Sequence, residues 1–194
     1  GEIRNIADLA VEHNFCVVSD EVYEHFVYGN NKQVSIASLN DEIKKLAITS
    51  NSASKTYAMT GWRIGYTGAD NELIKSMENL QSHSTSNPSN TAQYAALEAL
   101  NGPQDSVNHM IKAFDERRRF IHKRLNEVDG ISCVEPEGAF YAFPDISKTG
   151  MSSMEFASKL LDEALVAVVP GIAFGSDRHV RLSYAASIHD IERG

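Results

Sequence analysis

Ser52-Ala53-Ser54-Lys55-Thr56-Tyr57-Ala58-Met59-Thr60-Gly61-Trp62-Arg63-Ile64-Gly65 sets one lysine among small residues and places an arginine eight positions later. Neighbours as small as Ser and Ala leave room for a flat ligand to reach the lysine amine. Such an amine can condense with an aldehyde to a Schiff base, the usual attachment of pyridoxal phosphate (PLP). The Ser52 hydroxyl and the Arg63 guanidinium suit a phosphate, one as a donor and the other as a charged fork. Eight residues fully extended would span about 26 Å, too far for both ends to touch one ligand. The segment is therefore expected to double back, at Thr60-Gly61. Taken singly, Lys55 would be read as a surface lysine beside a turn.

Position by position the stretch resembles the lysine signature of class I/II aminotransferases, PLP-dependent enzymes of the aspartate aminotransferase fold (fold type I). It has Ser three before the lysine, a small residue just before it, Arg eight after it and a small residue two beyond that. The resemblance implies an α/β chain: part of the large PLP-binding domain, with a mostly parallel sheet, then a small α+β C-terminal domain. It covers the C-terminal half of the family pattern only. The chain opens inside an amphipathic helix with Ile3, Ile6, Leu9 and Ala10 on one face and stops just inside another at Ile188–Gly194. It is expected to be a fragment of a protein roughly twice as long.

Composition is that of ordinary globular material. Of 194 residues, 42% are hydrophobic and 23% charged, enough for one large domain or two small ones. A formal charge of −8 without a basic stripe argues against nucleic acid. No apolar run approaches the roughly 18 residues of a membrane span, and no signal peptide opens the chain. Cys16 and Cys133 lie far apart in apolar runs. They read as buried free thiols in a reducing, cytoplasmic setting, with a single disulfide as the alternative. The seven histidines lack ligand spacing, so no metal is expected.

Along the chain, Phe15–Asp20 reads as a buried parallel strand with Asp20 at its C-terminal end, the edge where open α/β sheets bind ligands. A helical turn after it would present Asp20 and Tyr23 together, although Asp20 alone would more simply be an N-cap. The resemblance gives Asp20 to the pyridine nitrogen and Tyr23 to the ring oxygen of the cofactor. Residues 29–40 read as a loop, 45–50 as the next parallel strand, and 63–68 as a further strand whose glycines allow close packing. Helices are expected over 71–81 and 91–101. Between them lies the polar run Ser82–Ser89, a linker by composition and a dimer-interface loop by resemblance. Trp62 is expected to pack rather than to stack on cofactor.

A long helix with Val107, Met110, Ile111, Phe114, Ile121, Leu125 and Val128 at helical spacing is expected over about 105–128, linking the domains. The boundary is set there, giving residues 1–112 and 113–194. Its Arg117-Arg118-Arg119 cluster beside Asp115 and Glu116 reads as a solvated, salt-bridged face. Beyond it, 131–134 is expected as a strand, 136–144 as the strand leading into the family's small domain, Ser152–Glu155 as a capping box, and 166–171 as a strand ended by Pro-Gly. Arg181, between Val180 and Leu182, is costly to bury unpaired and wants either a protein carboxylate or an external anion. The resemblance assigns it to the substrate's α-carboxylate through a bidentate fork.

What the resemblance implies in sum is transfer of an amino group between an amino acid, aspartate first, and a 2-oxo acid such as 2-oxoglutarate. Cofactor residues would be Asp20, Tyr23, Ser52, Lys55 and Arg63; Lys55 would be catalytic and Arg181 would bind substrate. Aromatic, methionine and kynurenine aminotransferases share these motifs. A homodimer is implied for the full-length form. The family's phosphate-binding loop and aromatic platform would precede Gly1, so the chain by itself is expected to be an inactive fragment.

Overall fold

Small side chains decide how the first part of the chain packs. Helix α1 (Glu2–His13) buries Ala7 and Ala10, which join Ile36, Ile43 and Ala47 in one apolar cluster. Ile3, Ile6 and Leu9, expected on the buried face, are instead 41, 48 and 49% exposed. The alanine stripe allows the close approach, and the bulkier stripe beside it points away from this cluster. The helix ends at Asn14, left-handed at φ 50, where asparagine is tolerated.

The computed structural model describes all residues 1–194, in two units: 1–25 with 32–107, and 26–31 with 108–194. In the first unit, strands β1 (Val17–Asp20), β2 (Ala47–Ser52) and β3 (Gly65–Gly68) form a sheet in that order. β1 and β2 are parallel, pairing Val17 with Ala47 through Asp20 with Ser50. β3 returns antiparallel, pairing Ser52 with Gly65. Gly65 is required for that pairing, since a Cβ there would sit 2.9 Å from the Asn51 carbonyl oxygen.

β2 starts at Ala47, two residues later than expected, because Lys45 and Leu46 end a short helix α2 (Asp41–Leu46). The Asn40 side chain caps that helix, accepting from the Glu42 and Ile43 amides at 3.0 and 2.9 Å. A short helix α3 (Ala53–Thr56), directly following β2, carries Lys55. Helices α4 (Asn71–Ser84) and α5 (Asn90–Asn101) complete the unit, α4 taking the first residues of the expected polar linker. Cys16 is exposed, contrary to expectation, whereas Cys133 is buried; both are free thiols.

The second unit contains most of α6 (Asp105–Leu125), which stops short of Val128. Its sheet is antiparallel: β4 (Tyr141–Ala142) and β5 (Val169–Pro170) flank β6 (Val180–Ser183). The expected strand at 131–134 is reduced to one bridge, Ser132 to Asp145. Phe26, Phe114 and Phe140 pack with ring centroids 5.2–5.6 Å apart. Helix α7 (Ser153–Ala164) opens with the expected capping box, Ser152 and Glu155 bonding each other's backbone amides. No helix is long and apolar enough to cross a membrane.

One arginine of the supposedly solvated trio is inside. Arg118 is 7% exposed and bonds Asp115 at 2.8 Å, Glu135 at 2.7 Å and the Pro136 carbonyl at 3.1 Å, over the Tyr28 ring. Burial opposes its charge, but the Asp115 and Glu135 bonds outweigh that and raise its pKa. Beside it the Tyr28 and Tyr184 hydroxyls both donate to the Ala139 carbonyl, at 2.6 and 3.1 Å.

Two outcomes follow. Arg118→Ala removes a buried cation that joins Asp115 to Glu135 and should cost about 2 kcal/mol in urea unfolding, with Arg118→Lys failing to restore it because the amine lacks the fork. Burial pushes the Tyr28 phenol from 10.0 up to about 12 and raises Tyr184 as well. The unfolded phenol loses its proton first, so this contribution is complete below pH 10 and is lost as pH rises to about 12. The urea midpoint should fall over that interval, and less steeply in Tyr28→Phe. A wild-type midpoint flat through it would contradict the burial of these phenols.

Candidate active site

The parallel register of β1 and β2 sets the site. Asp20 pairs with Ser50, and the next amide, Glu21 N–H, donates to the Ser50 carbonyl at 2.9 Å. β1 ends here and β2 runs two residues further, the strands lying about 4.8 Å apart. Asp20 is exposed, and its carboxylate accepts the Val22 amide at 3.2 Å, bending the chain into a turn. That turn, rather than the helical turn expected, carries Tyr23, which is half-buried.

From the same end of β2 the chain enters α3. The Ser52 hydroxyl accepts the Ser54 amide at 3.0 Å as its N-cap and lies 2.7 Å from the Ser54 Oγ. It also donates to the Ile64 carbonyl at 2.9 Å, tying the start of the lysine segment to its finish. Lys55, half-buried, sits on α3 within that closed loop. The segment doubles back as its length demands, but glycine does not lead the reversal. Ala58 and Arg63 take left-handed backbone at φ 53 on either side of the 3-10 turn Thr60–Trp62. Each non-glycine residue there costs about 1–2 kcal/mol, the sort of strain that collects at functional sites. Arg63 is exposed and donates to the Thr60 carbonyl at 3.0 Å, leaving other guanidinium donors available. Trp62, expected to pack, is 46% exposed.

The register therefore brings Asp20, Ser52, the Lys55 loop and Arg63 to one end of the first unit's sheet. A cavity of about 640 Å³ lies instead toward the start of β2, lined by Ala47, Thr49, Gly68, Asp70 and Lys45 among others. It contains none of the expected site residues.

Sequence reasoning missed a support behind this end. Asn51, 9% exposed, donates to a Glu24 carboxylate oxygen at 2.5 Å and accepts the Ser52 amide at 2.7 Å. It thereby fastens the turn after β1 to the end of β2. The signal was present: asparagine is disfavoured inside a strand unless its amide has partners. Burial, then the Glu24 charge, raises the pKa of the nearby Tyr57 and Tyr66 phenols.

Arg181 belongs to the second unit, on the central strand β6. Its guanidinium carbon is 4.4 Å from the ring centroids of both Tyr141 and Phe174. No carboxylate of this chain lies within ion-pair distance of it.

The family described as aminotransferase class I and II matches residues 1–193. Among relatives, the aspartate aminotransferase of Bacillus sp. (strain YM-2) is 49% identical over 98% of this chain and 50% of its own length. That of Bacillus subtilis (strain 168) is 46% identical with the same coverage. The crystal structure of an aromatic aminotransferase from Pyrococcus horikoshii OT3 superposes with a TM-score of 0.94 at 45% identity, over 98% of this chain and 52% of that one. The chain thus spans about half the length of the relatives it matches. Enzymes of this family are generally PLP-dependent. The chain belongs to the aminotransferase class I and II family.

Proposed function

We propose that the protein to which this chain contributes about half is a PLP-dependent aminotransferase. It would move an amino group between aspartate and a 2-oxo acid such as 2-oxoglutarate. The observation that carries this is the pairing of Asp20 with Ser50, which puts a carboxylate and the lysine loop at the ends of adjacent strands. The residues fit the cofactor chemically. An amine, a carboxylate, a phenol and an arginine with spare donors lie on the segments leaving that sheet end.

When bound, PLP supplies an electron sink for negative charge at the substrate's α-carbon. Asp20 would hold a proton on the pyridine nitrogen, since a carboxylate favours the charged form of a neighbouring base. Tyr23 would donate to the ring oxygen. Arg63 would bind the phosphate, and Ser52 would join it by redirecting the proton it now gives Ile64. Lys55 would take the proton from the α-carbon, work that requires its neutral amine. Arg181 would bind the substrate's α-carboxylate as a bidentate fork.

Aspartate rests on the names of the relatives at 49 and 46% identity, and an aromatic substrate is the second reading because an aromatic aminotransferase superposes with a TM-score of 0.94. The full-length form would be a homodimer, with the loop around Ser86, left-handed at φ 60, at its interface. The setting would be cytoplasmic, consistent with two free thiols. Because the chain is half the length of its relatives, it would transfer no amino group by itself.

The chain mixed with PLP and borohydride should acquire a stable adduct mapping by peptide mass to Lys55, absent in Lys55→Ala. Adducts spread over surface lysines, in a chain still folded by circular dichroism, would count against a built site. Without cofactor, Ser52→Ala should lose about 1 kcal/mol in urea unfolding through its cap. With PLP it should also lower adduct yield, which a pure capping role would not do in proportion.

A further inference from the structure

The second unit shows how Arg181 is held. It lies on β6 opposite Val169, and Ser183, two residues on, pairs with Tyr141. Arg181, Ser183 and Tyr141 therefore share one face of the sheet. The Tyr141 ring covers the guanidinium from β4. Phe174 covers it from the 3-10 turn Gly171–Phe174 that follows β5. Both centroids are 4.4 Å from the guanidinium carbon, and the Phe174 ring is itself met by Phe143. The cation thus contacts two aromatic rings, supplied by different elements.

The turn that supplies Phe174 is fixed from several sides. The Gly171 amide donates to the His179 carbonyl at 2.8 Å, and a Cβ on Gly171 would lie 2.2 Å from that oxygen, so only glycine fits. The Ile172 amide donates at 3.2 Å to the hydroxyl of fully buried Ser153, which in turn donates to Asp177 at 2.7 Å. Behind Phe174, Phe143 meets it edge-on at 6.1 Å and stacks on His179 at 4.8 Å. His179 is itself 2.7 Å from the Ser176 hydroxyl.

We propose that Tyr141 and Phe174 are positioning residues that clamp the flat faces of Arg181, leaving its N–H edge to receive a planar carboxylate. A guanidinium with both faces on aromatic rings can hydrogen-bond only in its plane. An arginine so held has fewer rotamers to lose on binding, and that lowers the cost of forming a two-bond fork. The clamp rests on the assignment of Arg181 to the substrate carboxylate made above. It adds a reason for the aromatic residues at 141 and 174.

Nuclear magnetic resonance of the folded chain, without PLP, tests it with 2-oxoglutarate as the probe. Ring currents should move the Arg181 δ-protons upfield, and 2-oxoglutarate should shift its Nε–H signal. Phe174→Leu should abolish much of the upfield shift and weaken the 2-oxoglutarate response about tenfold. Phe174→Tyr, which keeps an aromatic face, should restore both. Phe174 is 47% exposed, so neither change should unfold the unit. An unweakened response in Phe174→Leu overturns the clamp while leaving the function of Arg181 intact. An upfield shift with no 2-oxoglutarate response in wild type overturns the carboxylate role of Arg181, and the clamp with it. Absence of the upfield shift overturns the clamp outright.

Discussion

Everything at the candidate site depends on one backbone pairing, the parallel match of β1 with β2. Parallel strands have no tight turn to fix their alignment, so the register has to come from side chains. Here Val17 and Ala47 enter the apolar cluster built by Ala7, Ala10, Ile36 and Ile43. A slip of one residue would turn those side chains out of the cluster and move Asp20 away from the end of β2. The chemistry is thus held in place by packing at the opposite end of the same two strands. Asn51 and Glu24 then lock the reactive end with a second, polar constraint.

The lysine loop shows how the fold turns strain into placement. A segment leaving β2 and returning as β3 must reverse within a dozen residues. The Ser52-to-Ile64 hydrogen bond closes the loop, and Ala58 and Arg63 accept left-handed backbone to make it fit. Arg181 is held differently. Its strand is central in a small antiparallel sheet, and its charge meets aromatic faces rather than a carboxylate. One unit fixes an amine by backbone closure, and the other fixes a cation by ring packing.

The features legible in the sequence were those carried by short spacings. The lysine stretch, the Asp20 strand end and the Ser152 capping box each need only a few neighbouring residues to declare themselves. Where the reading failed, tertiary packing had decided. Periodicity put Ile3, Ile6, Leu9 and Ala10 on one face, but close approach buried only Ala10 of these, together with Ala7. The apolar run 131–134 resembled a strand yet found only a single bridge partner. Arg118 looked solvated among charged neighbours, and what buries it are Glu135 and Tyr28, distant in sequence. Asn51 with Glu24, and Tyr141 with Phe174, likewise meet only through register and turn geometry.

The register of β1 against β2 can be observed directly by nuclear Overhauser contacts in the isotopically labelled chain. Pairing as described gives cross-strand contacts linking Ser19 to Thr49 and Asp20 to Ser50, together with a slowly exchanging Glu21 amide bound to the Ser50 carbonyl. Contacts shifted by even one residue, or an antiparallel pattern, would take Asp20 away from the lysine loop and contradict the site.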